Sequence, residues 1–401
     1  MPSSNVARRW VVNASPLILL SKVGRLDLID ALATEVAIPA AVLQELETVR
    51  RTISFAPCSR DTGDRTGWER WHKAAIEESA SQIWGAERWL ASVDKVARRD
   101  GRVVTLPPRS QRRMHRIAVA LGSRGHAPLR WGDLGRGFVH VYDEPSLGAG
   151  FSYLDTISDF ILYLSAVETL VQRKIELVFA GGGPEDLLAI YGTKGASFGL
   201  PEKVEHSSAS LIVTEGIWKA FVASPEYKAL LADRRSSYVW DSLIDSYAND
   251  LLTDGMFDMH SKEITKSEEA LVAMALQPRG HRSNLADAFV EFLGAKETPD
   301  ARIASRVVVA ANDTAFVFVT GKHSDRDARS QELALRCHVV RGRAPGVTTV
   351  VGIATDKPGV GVGHSSDILY LYMPIWTAEH EALADCITRD LGYFKSVRWA
   401  R

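Results

Sequence analysis

Two aspartates and a lysine in the C-terminal part of the chain have the chemistry of a metal site. Asp356 and Lys357 follow the apolar run "VVGIAT", and Asp367 opens the next apolar run, "DILYLY". Apolar runs of this length are typical of buried strands, so the three side chains are expected at strand ends. Carboxylate oxygens are the ligands that hard divalent cations prefer. If the two strand ends meet, these residues could hold such an ion.

The other polar motifs favour structural roles. In "AGGGPEDLL" the lysine and hydroxyl of a phosphate-binding loop are missing, and Glu185 and Asp186 suit the dipole of the following helix better than an anion would. "GASFG" around Ser197 matches the GxSxG pattern of a nucleophile elbow, but a helix precedes it where that motif requires a strand. "GKHSDRDARSQEL" could bind a phosphate or a carboxylate, and a capped helix start explains its charges better. The histidines show no HExxH pair, so zinc hydrolysis has no support.

The amino-terminal segment has the pattern of a strand, two helical runs, a second strand and a third helix. The predicted elements are, in order, Trp10–Val12, Leu17–Val23, Leu26–Ala33, Val36–Ile38 and a helix opened by Pro39. Residues 48–67 are polar and contain Pro57 and Gly63, which indicates a junction. Helical spacing of apolar residues then predicts a long amphipathic helix over Trp68–Ala97.

Strands and helices alternate along much of the remaining chain, which predicts an α/β fold built in layers. Helical patterns cover Phe151–Lys174 and the region from Glu215 to about Ala295. Strands are expected at Val103–Leu106, from Ile117, at Phe138–Asp143, at Ile175–Ala180 and in four apolar runs after residue 300. We therefore predict a partial domain at 1–50, an α/β body at 66–200, a helical segment at 201–298 and a C-terminal α/β unit at 299–401.

The stretch "VVNASPLILLSKVGRLDLI", followed by "VAIPAAVLQELE", resembles the first half of PIN-domain ribonucleases, especially the toxins of toxin–antitoxin pairs. The resemblance covers a small part of the chain, but its "SPLI" and "IPxAVxxEL" elements are fairly specific. It implies a PIN-like β-α-β-α start in which Asn13 and Glu45 hold Mg²⁺ or Mn²⁺ and act in catalysis. Glu47 would be a further metal ligand, with Asp27 as another nearby acid, and Ser15 would support the site.

Two departures from the family pattern leave a second interpretation open. Asn13 contributes a neutral carbonyl where the family normally has an aspartate, which lowers metal affinity. The family's later acids, which follow a further helix start and strand, have no counterpart after Glu47. In the second interpretation Asn13 and Ser15 cap the following helix, and Glu45 is a solvated helix residue. The chain would then be a non-catalytic module that binds nucleic acid or protein.

The rest of the chain, from about residue 67, resembles a family of bacterial proteins without an established activity. The segments that carry this resemblance include "WERWHKAAIEESASQIWGAERWL", "RMHRIAVALGS" and "FVHVYDEPSL". A long helix followed by "RIAVALGS" is also similar to the order of elements in PD-(D/E)xK nucleases. The place of their catalytic Glu-x-Lys strand is taken by "LETVRRTISFAP", which contains no such motif. This similarity implies a degenerate nuclease-like core.

Composition leaves the class of partner open. The 48 basic and 49 acidic residues give a net charge of -1, so there is no global basic excess, although a local basic patch would still fit. The three cysteines are far apart and unpaired in pattern, and no apolar run approaches the roughly 20 residues that span a bilayer. We expect a cytoplasmic protein that does not enter a membrane. Its expected partners are RNA or DNA and an antitoxin-like or other protein, in an undetermined oligomeric state.

Overall fold

The chain is a mixed α/β protein with several small sheets. The computed structural model describes residues 9–11, 35–37, 65–97, 103–120, 132–173, 175–199, 210–253, 265–294, 304–321, 326–344, 346–356 and 366–394. Contacts between Cα atoms divide the chain into two compact units. The first unit comprises Met1–Gly85 and Arg116–Leu147, and the second comprises Ala86–His115 and Gly148–Arg401.

The amino-terminal segment contributes two short parallel strands, β1 (Arg9–Val11) and β2 (Glu35–Ala37). Trp10 pairs with Val36, so the carboxyl ends of the two strands lie at the same edge. Both strands were predicted from the sequence, each one residue further along the chain. The helical runs predicted after each of them lie outside the described residues.

The first unit also contains a helix packed on a small sheet. Its helical elements are α1 (Arg65–His72), a π-helical turn (Lys73–Glu78) and the first half of α2 (Ser79–Ser92). Its strands are β5 (Ile117–Val119), β6 (Gly132–Asp133) and β7 (Phe138–Tyr142), in the spatial order β5-β7-β6. The fully buried Ile76 packs with Ala118, Val139 and Val141. Alternate residues of β7 thus form the core of this unit.

The predicted helix over Trp68–Ala97 ends earlier than its apolar pattern suggests. Arg112 donates hydrogen bonds from Nη1 to the carbonyl oxygens of Leu90 and Val93, at 2.6 and 2.9 Å. These carbonyls belong to the last turn of α2 or follow it, so the guanidinium caps that helix end. The chain then enters an antiparallel pair, β3 (Lys95–Ala97) and β4 (Val103–Thr105), followed by a 3₁₀ turn at Arg109–Gln111.

The single helix predicted over Phe151–Lys174 is two helices, α3 (Glu144–Tyr153) and α4 (Ile157–Gln172). The break is set by Thr156, whose Oγ1 accepts a hydrogen bond from the backbone N–H of Asp159 and caps α4. The predicted strand follows as β8 (Glu176–Ala180) and pairs in parallel with β9 (Ser210–Thr214), which was not predicted. The helices around this pair are α5 (Pro184–Thr193), α6 (Ile217–Ala223) and α7 (Pro225–Asp233).

A four-stranded sheet with helices on both faces forms the C-terminal part of the second unit. Its strands, in the order β10-β11-β12-β13, are β10 (Ala304–Val309), β11 (Thr314–Gly321), β12 (Thr349–Asp356) and β13 (Ser366–Tyr372). The region from Glu215 to about Ala295, where helical patterns were predicted, contains α8 (Ser237–Thr253), α9 (Lys266–Ala275) and α10 (Arg279–Gly294), which pack on one face. The helix α11 (Arg326–Arg343) packs on the other, and α12 (Ala378–Leu391) packs against α11.

The two faces of this sheet follow from strict alternation of side chains along each strand. Phe316 and Phe318 of β11 and Ile353 of β12 meet the α8–α10 layer. Val317 and Ala354, one position out of phase, meet α11. Near-continuous apolar runs are expected for strands that are covered on both faces.

No helix in the described part of the chain is long and apolar enough to cross a membrane.

Candidate functional site

The carboxyl ends of β11 and β12 lie at one edge of the C-terminal sheet, because these two strands are parallel. The antiparallel strand β13 begins at the same edge. Thr320 pairs with Thr355, and Thr355 pairs with Ser366, so these three residues form one row across the sheet on the α8–α10 face. Ligands of open α/β sheets bind outside the carboxyl ends of parallel strands. The geometry therefore marks this edge as a candidate site.

The three residues of this row carry hydroxyl groups, and they lie where the apolar face of the sheet ends. The Oγ1 atoms of Thr320 and Thr355 are buried, and neither has a hydrogen-bond partner among the residues that the structure describes. Tyr247 of α8 lies over the row and shares a hydrogen bond with Ser366, and burial raises the pKa of its hydroxyl to about 12. Tyr247 therefore stays protonated at neutral pH. We name Thr320, Thr355, Ser366 and Tyr247 the hydroxyl row.

A buried ion pair occupies the other face of the same edge. Arg329, in the first turns of α11, donates from Nε to Oδ2 of Asp367 at 2.6 Å. The two side chains are only 1% and 8% exposed, so water screens this pair very little. The sequence predicted Asp356 and Asp367 at strand ends, and the register of β12 and β13 makes these two ends neighbours. The side chain of Asp356 and all of Lys357 lie outside the described residues, so a metal site there stays a prediction.

The arginine changes the chemistry expected of Asp367. A carboxylate that already binds a buried guanidinium has part of its charge neutralised, which makes it a weaker ligand for a cation. This partner could not be predicted from local sequence, because Arg329 reaches Asp367 only through the crossover from β11 to β12. The hydroxyl row was missed as well. It could have been predicted, since Thr320 and Thr355 each lie two residues after an apolar residue, Phe318 and Ile353, and so face the same side of the sheet.

Replacing Thr355 with valine is expected to raise the free energy of unfolding by about 1 kcal/mol, because the change removes a buried hydroxyl that has no hydrogen-bond partner among the described residues. Thr314→Val is the matched control. That residue is 3% exposed, and its Oγ1 donates to the carbonyl oxygen of Asn312 at 2.9 Å. The control should lower the free energy of unfolding by about 1 kcal/mol. Urea unfolding compares the two, and an equal loss in both would show that the Thr355 hydroxyl has a partner.

The glycine-rich turn before α5 has a structural role, as the sequence indicated. Oδ2 of Asp186 accepts a hydrogen bond from the N–H of Gly183 at 3.0 Å, and Oδ1 accepts one from the N–H of Trp218 at 2.8 Å. A Cβ on Gly182 would lie 2.7 Å from the carbonyl oxygen of Thr214, so this position requires glycine. Ser197 donates to the carbonyl oxygen of Lys194 in a turn, which is not a nucleophile elbow.

The residues that the sequence assigned to a metal-dependent nuclease lie outside the described part of the chain: Asn13, Ser15, Asp27, Glu45 and Glu47. The described elements nearest to them are β1 and β2. Asn13 comes two residues after the carboxyl end of β1, and the helix predicted to carry Glu45 follows β2. Because β1 and β2 are parallel, the chain leaves both strands at the same edge.

Comparison with known proteins gives one match. Residues 9–64 match the model of a family described as a PIN domain. No curated protein and no solved structure matches the chain. The N-terminal region is therefore PIN-like, and a PIN domain points to a nuclease-related function in general. The similarity of residues 67–401 to PD-(D/E)xK nucleases and to a bacterial family stays a prediction.

Proposed function

We propose that the chain is a divalent-metal-dependent ribonuclease or related phosphodiesterase, and that its PIN-like segment carries the reaction. The match of residues 9–64 to a PIN-domain family carries this proposal, because that range includes Asn13, Ser15, Glu45 and Glu47. The parallel pairing of β1 and β2 supports it, since the segments after both strands then start from one edge.

The donor chemistry of these residues fits Mg²⁺ or Mn²⁺. Glu45 and Glu47 offer carboxylate oxygens and Asn13 offers an amide oxygen, and hard divalent cations prefer oxygen ligands. When bound, such an ion lowers the pKa of a water molecule and stabilises charge on a phosphate. Asn13, Glu45 and Glu47 would bind the ion, and Ser15 would support the site.

Replacing Glu45 with glutamine is expected to reduce metal-dependent cleavage of single-stranded RNA by at least about 100-fold. The substitution keeps the size of the side chain and removes the negative charge that binds the ion, and losing one such electrostatic group costs about 10²–10³ in rate. The assay measures cleavage of a labelled oligoribonucleotide with Mn²⁺ or Mg²⁺ by the full chain.

Asn13→Asp tests the site in the opposite direction, because it introduces the aspartate that the family normally has at this position. Adding a third carboxylate beside Glu45 and Glu47 should strengthen metal binding and lower the Mn²⁺ concentration that gives half-maximal cleavage. A Glu226→Gln variant, changed at a glutamate of α7 far along the chain, serves as the control and should cleave normally. Cleavage that survives Glu45→Gln unchanged would remove this segment from the reaction.

The identity of Asn13 favours a second candidate, a non-catalytic module that binds nucleic acid or an antitoxin-like protein. A neutral residue in the usual aspartate position weakens metal binding. This candidate predicts binding of RNA or DNA without turnover under either metal. Restored cleavage in Asn13→Asp, together with none in the native chain, would identify it.

A further inference from the structure

The end of α2 and the hairpin after it concentrate positive charge. Residues Ala86–His115 contain eight basic and three acidic residues, although the whole chain has a net charge of -1. Of these basic residues, the structure describes the side chains of Arg88, Lys95, Arg109, Arg112 and Arg113. The net charge of the whole chain does not reveal this local excess of basic residues, because acidic residues elsewhere balance it.

The basic side chains of this region fall into two groups. Arg112 is only 9% exposed and has a structural role, since it caps α2 and donates from Nε to the carbonyl oxygen of Pro107 at 2.7 Å. Arg88, Lys95 and Arg113 are exposed, and no ion pair joins them to another residue in the described ranges. Arg109 is 58% exposed and shares Asp94 with Arg112, at N–O distances of 3.4 and 3.3 Å. One exposed aspartate thus faces several cations.

An aromatic side chain lies among these charges. Trp89 is 52% exposed, an unusual state for the largest apolar side chain. Its own carbonyl accepts a hydrogen bond from Oγ of Ser92, one helical turn later, and the carbonyl of Ser92 accepts one from Nη2 of Arg109 at 3.2 Å. These two bonds place the Arg109 guanidinium at the carboxyl end of α2, whose last turn carries Trp89. An exposed indole and an exposed guanidinium therefore both belong to this end of the helix.

We propose that this surface, formed by Arg88, Trp89, Lys95, Arg109 and Arg113, binds single-stranded nucleic acid. Unpaired bases stack on exposed aromatic rings whatever their sequence, and flanking arginines and lysines bind the phosphates. The inference rests on the proposed function and deepens it by giving a surface, outside residues 9–64, that would hold the unpaired substrate strand. Stacking on the ring of Trp89 requires a base with an exposed face, and the bases inside an intact duplex are already stacked on their neighbours.

The test measures binding of the full chain to a labelled oligouridylate of roughly 10–16 nucleotides, in EDTA so that no metal-dependent cleavage occurs. Trp89→Ala is expected to weaken binding by roughly tenfold, because one stacked base is lost. Tyr372→Ala is the control for this change, since Tyr372 is 55% exposed on β13. It should leave the affinity unchanged. Circular dichroism checks that both variants keep the native fold.

A triple variant, Arg88→Gln with Arg109→Gln and Arg113→Gln, tests the phosphate contacts. Each phosphate contact contributes about 0.7 to the slope of log affinity against log salt for single strands, so the slope should fall by about 2. Arg389→Gln is the control, because that side chain is 72% exposed and lies next to Asp390 on α12. Its slope should equal that of the native chain. Oligothymidylate, run in parallel, shows whether the strand is read as RNA or as any polynucleotide.

Several results would overturn the inference: no binding of either oligomer, an affinity unchanged in Trp89→Ala, or an unchanged slope in the triple variant. Equal binding of polyglutamate with the same dependence on Trp89 would assign the surface to an acidic protein instead. The outcome is separable from that of the proposed function. Binding as expected without cleavage under Mn²⁺ would refute the nuclease and retain this surface, whereas cleavage with full activity and affinity in Trp89→Ala would do the reverse.

Discussion

Replacing Arg329 with methionine is expected to lower the free energy of unfolding by about 3–5 kcal/mol. Methionine keeps most of the apolar stem, so little packing is lost. The cost arises at Asp367, which is 8% exposed and would keep a buried negative charge without its guanidinium. Urea unfolding followed by far-ultraviolet circular dichroism measures the loss.

Two further variants identify the charge as the cause. Arg329→Met combined with Asp367→Asn removes both charges and should recover much of the stability, because a buried pair contributes little net energy while a single buried charge is costly. Arg306→Met changes an exposed ion pair. Nη1 of Arg306 lies 2.8 Å from Oε2 of Glu291, and the two side chains are 39% and 68% exposed. That change should cost no more than about 1 kcal/mol. Similar losses at Arg306 and Arg329 would contradict the role assigned to burial.

Replacing Trp240 with alanine is expected to cost about 3–5 kcal/mol. This side chain of α8 is fully buried, and its ring lies edge-on to Phe316 with 5.1 Å between centroids. Nε1 also donates to the carbonyl oxygen of Met274 at 3.3 Å, so one indole joins α8, α9 and the sheet. The free energy of unfolding and the near-ultraviolet dichroism of the aromatic rings should both fall.

The matched control for Trp240 is Trp89→Ala, which removes the same side chain from an exposed position. It should change stability by less than about 0.5 kcal/mol. Trp240→Phe should fall between the two, since it keeps an aromatic ring in the core and removes the indole hydrogen bond to the Met274 carbonyl, which still accepts from the N–H of Gln277. A loss at Trp240 no larger than at Trp89 would mean that the helical layer does not depend on this contact.

Elements with a regular apolar pattern could be predicted from the sequence, and their ends often could not. The strands β10–β13 and the helices α8–α10 were recovered because each buries a face of fixed period. The end of α2 was missed because it is set by Arg112, which lies many residues further along the chain. The break before α4 depends on Thr156 and on Asp159, whose Oδ2 also accepts from the N–H of Arg279. Such contacts have no local signature.

The candidate sites were predictable to different degrees. Asp356 and Asp367 were predicted at strand ends, and only the register of β12 and β13 shows that these two strand ends are neighbours. The partner of Asp367 could not be predicted, since pairing it with Arg329 requires knowing where α11 begins and which of its faces meets the sheet. The PIN-like character of residues 9–64 was visible in short motifs, and the roles of Asn13 and Glu45 stay predictions. Helical spacing did not single out Trp89, and its 52% exposure became visible only in the structure.

The order of strands in the C-terminal sheet also bears on how this part of the chain reaches its fold. Every hydrogen-bonded neighbour in the order β10-β11-β12-β13 is also the next strand in sequence. The antiparallel pairs β10–β11 and β12–β13 each join across a short connection, so each loses little chain entropy when it closes. The parallel pair β11–β12 is closed only across the helix α11, so its pairing costs more chain entropy. The two antiparallel pairs are therefore expected to form before the central parallel pairing, and the helices α8–α10, which precede the sheet in the chain, can condense once both pairs are joined.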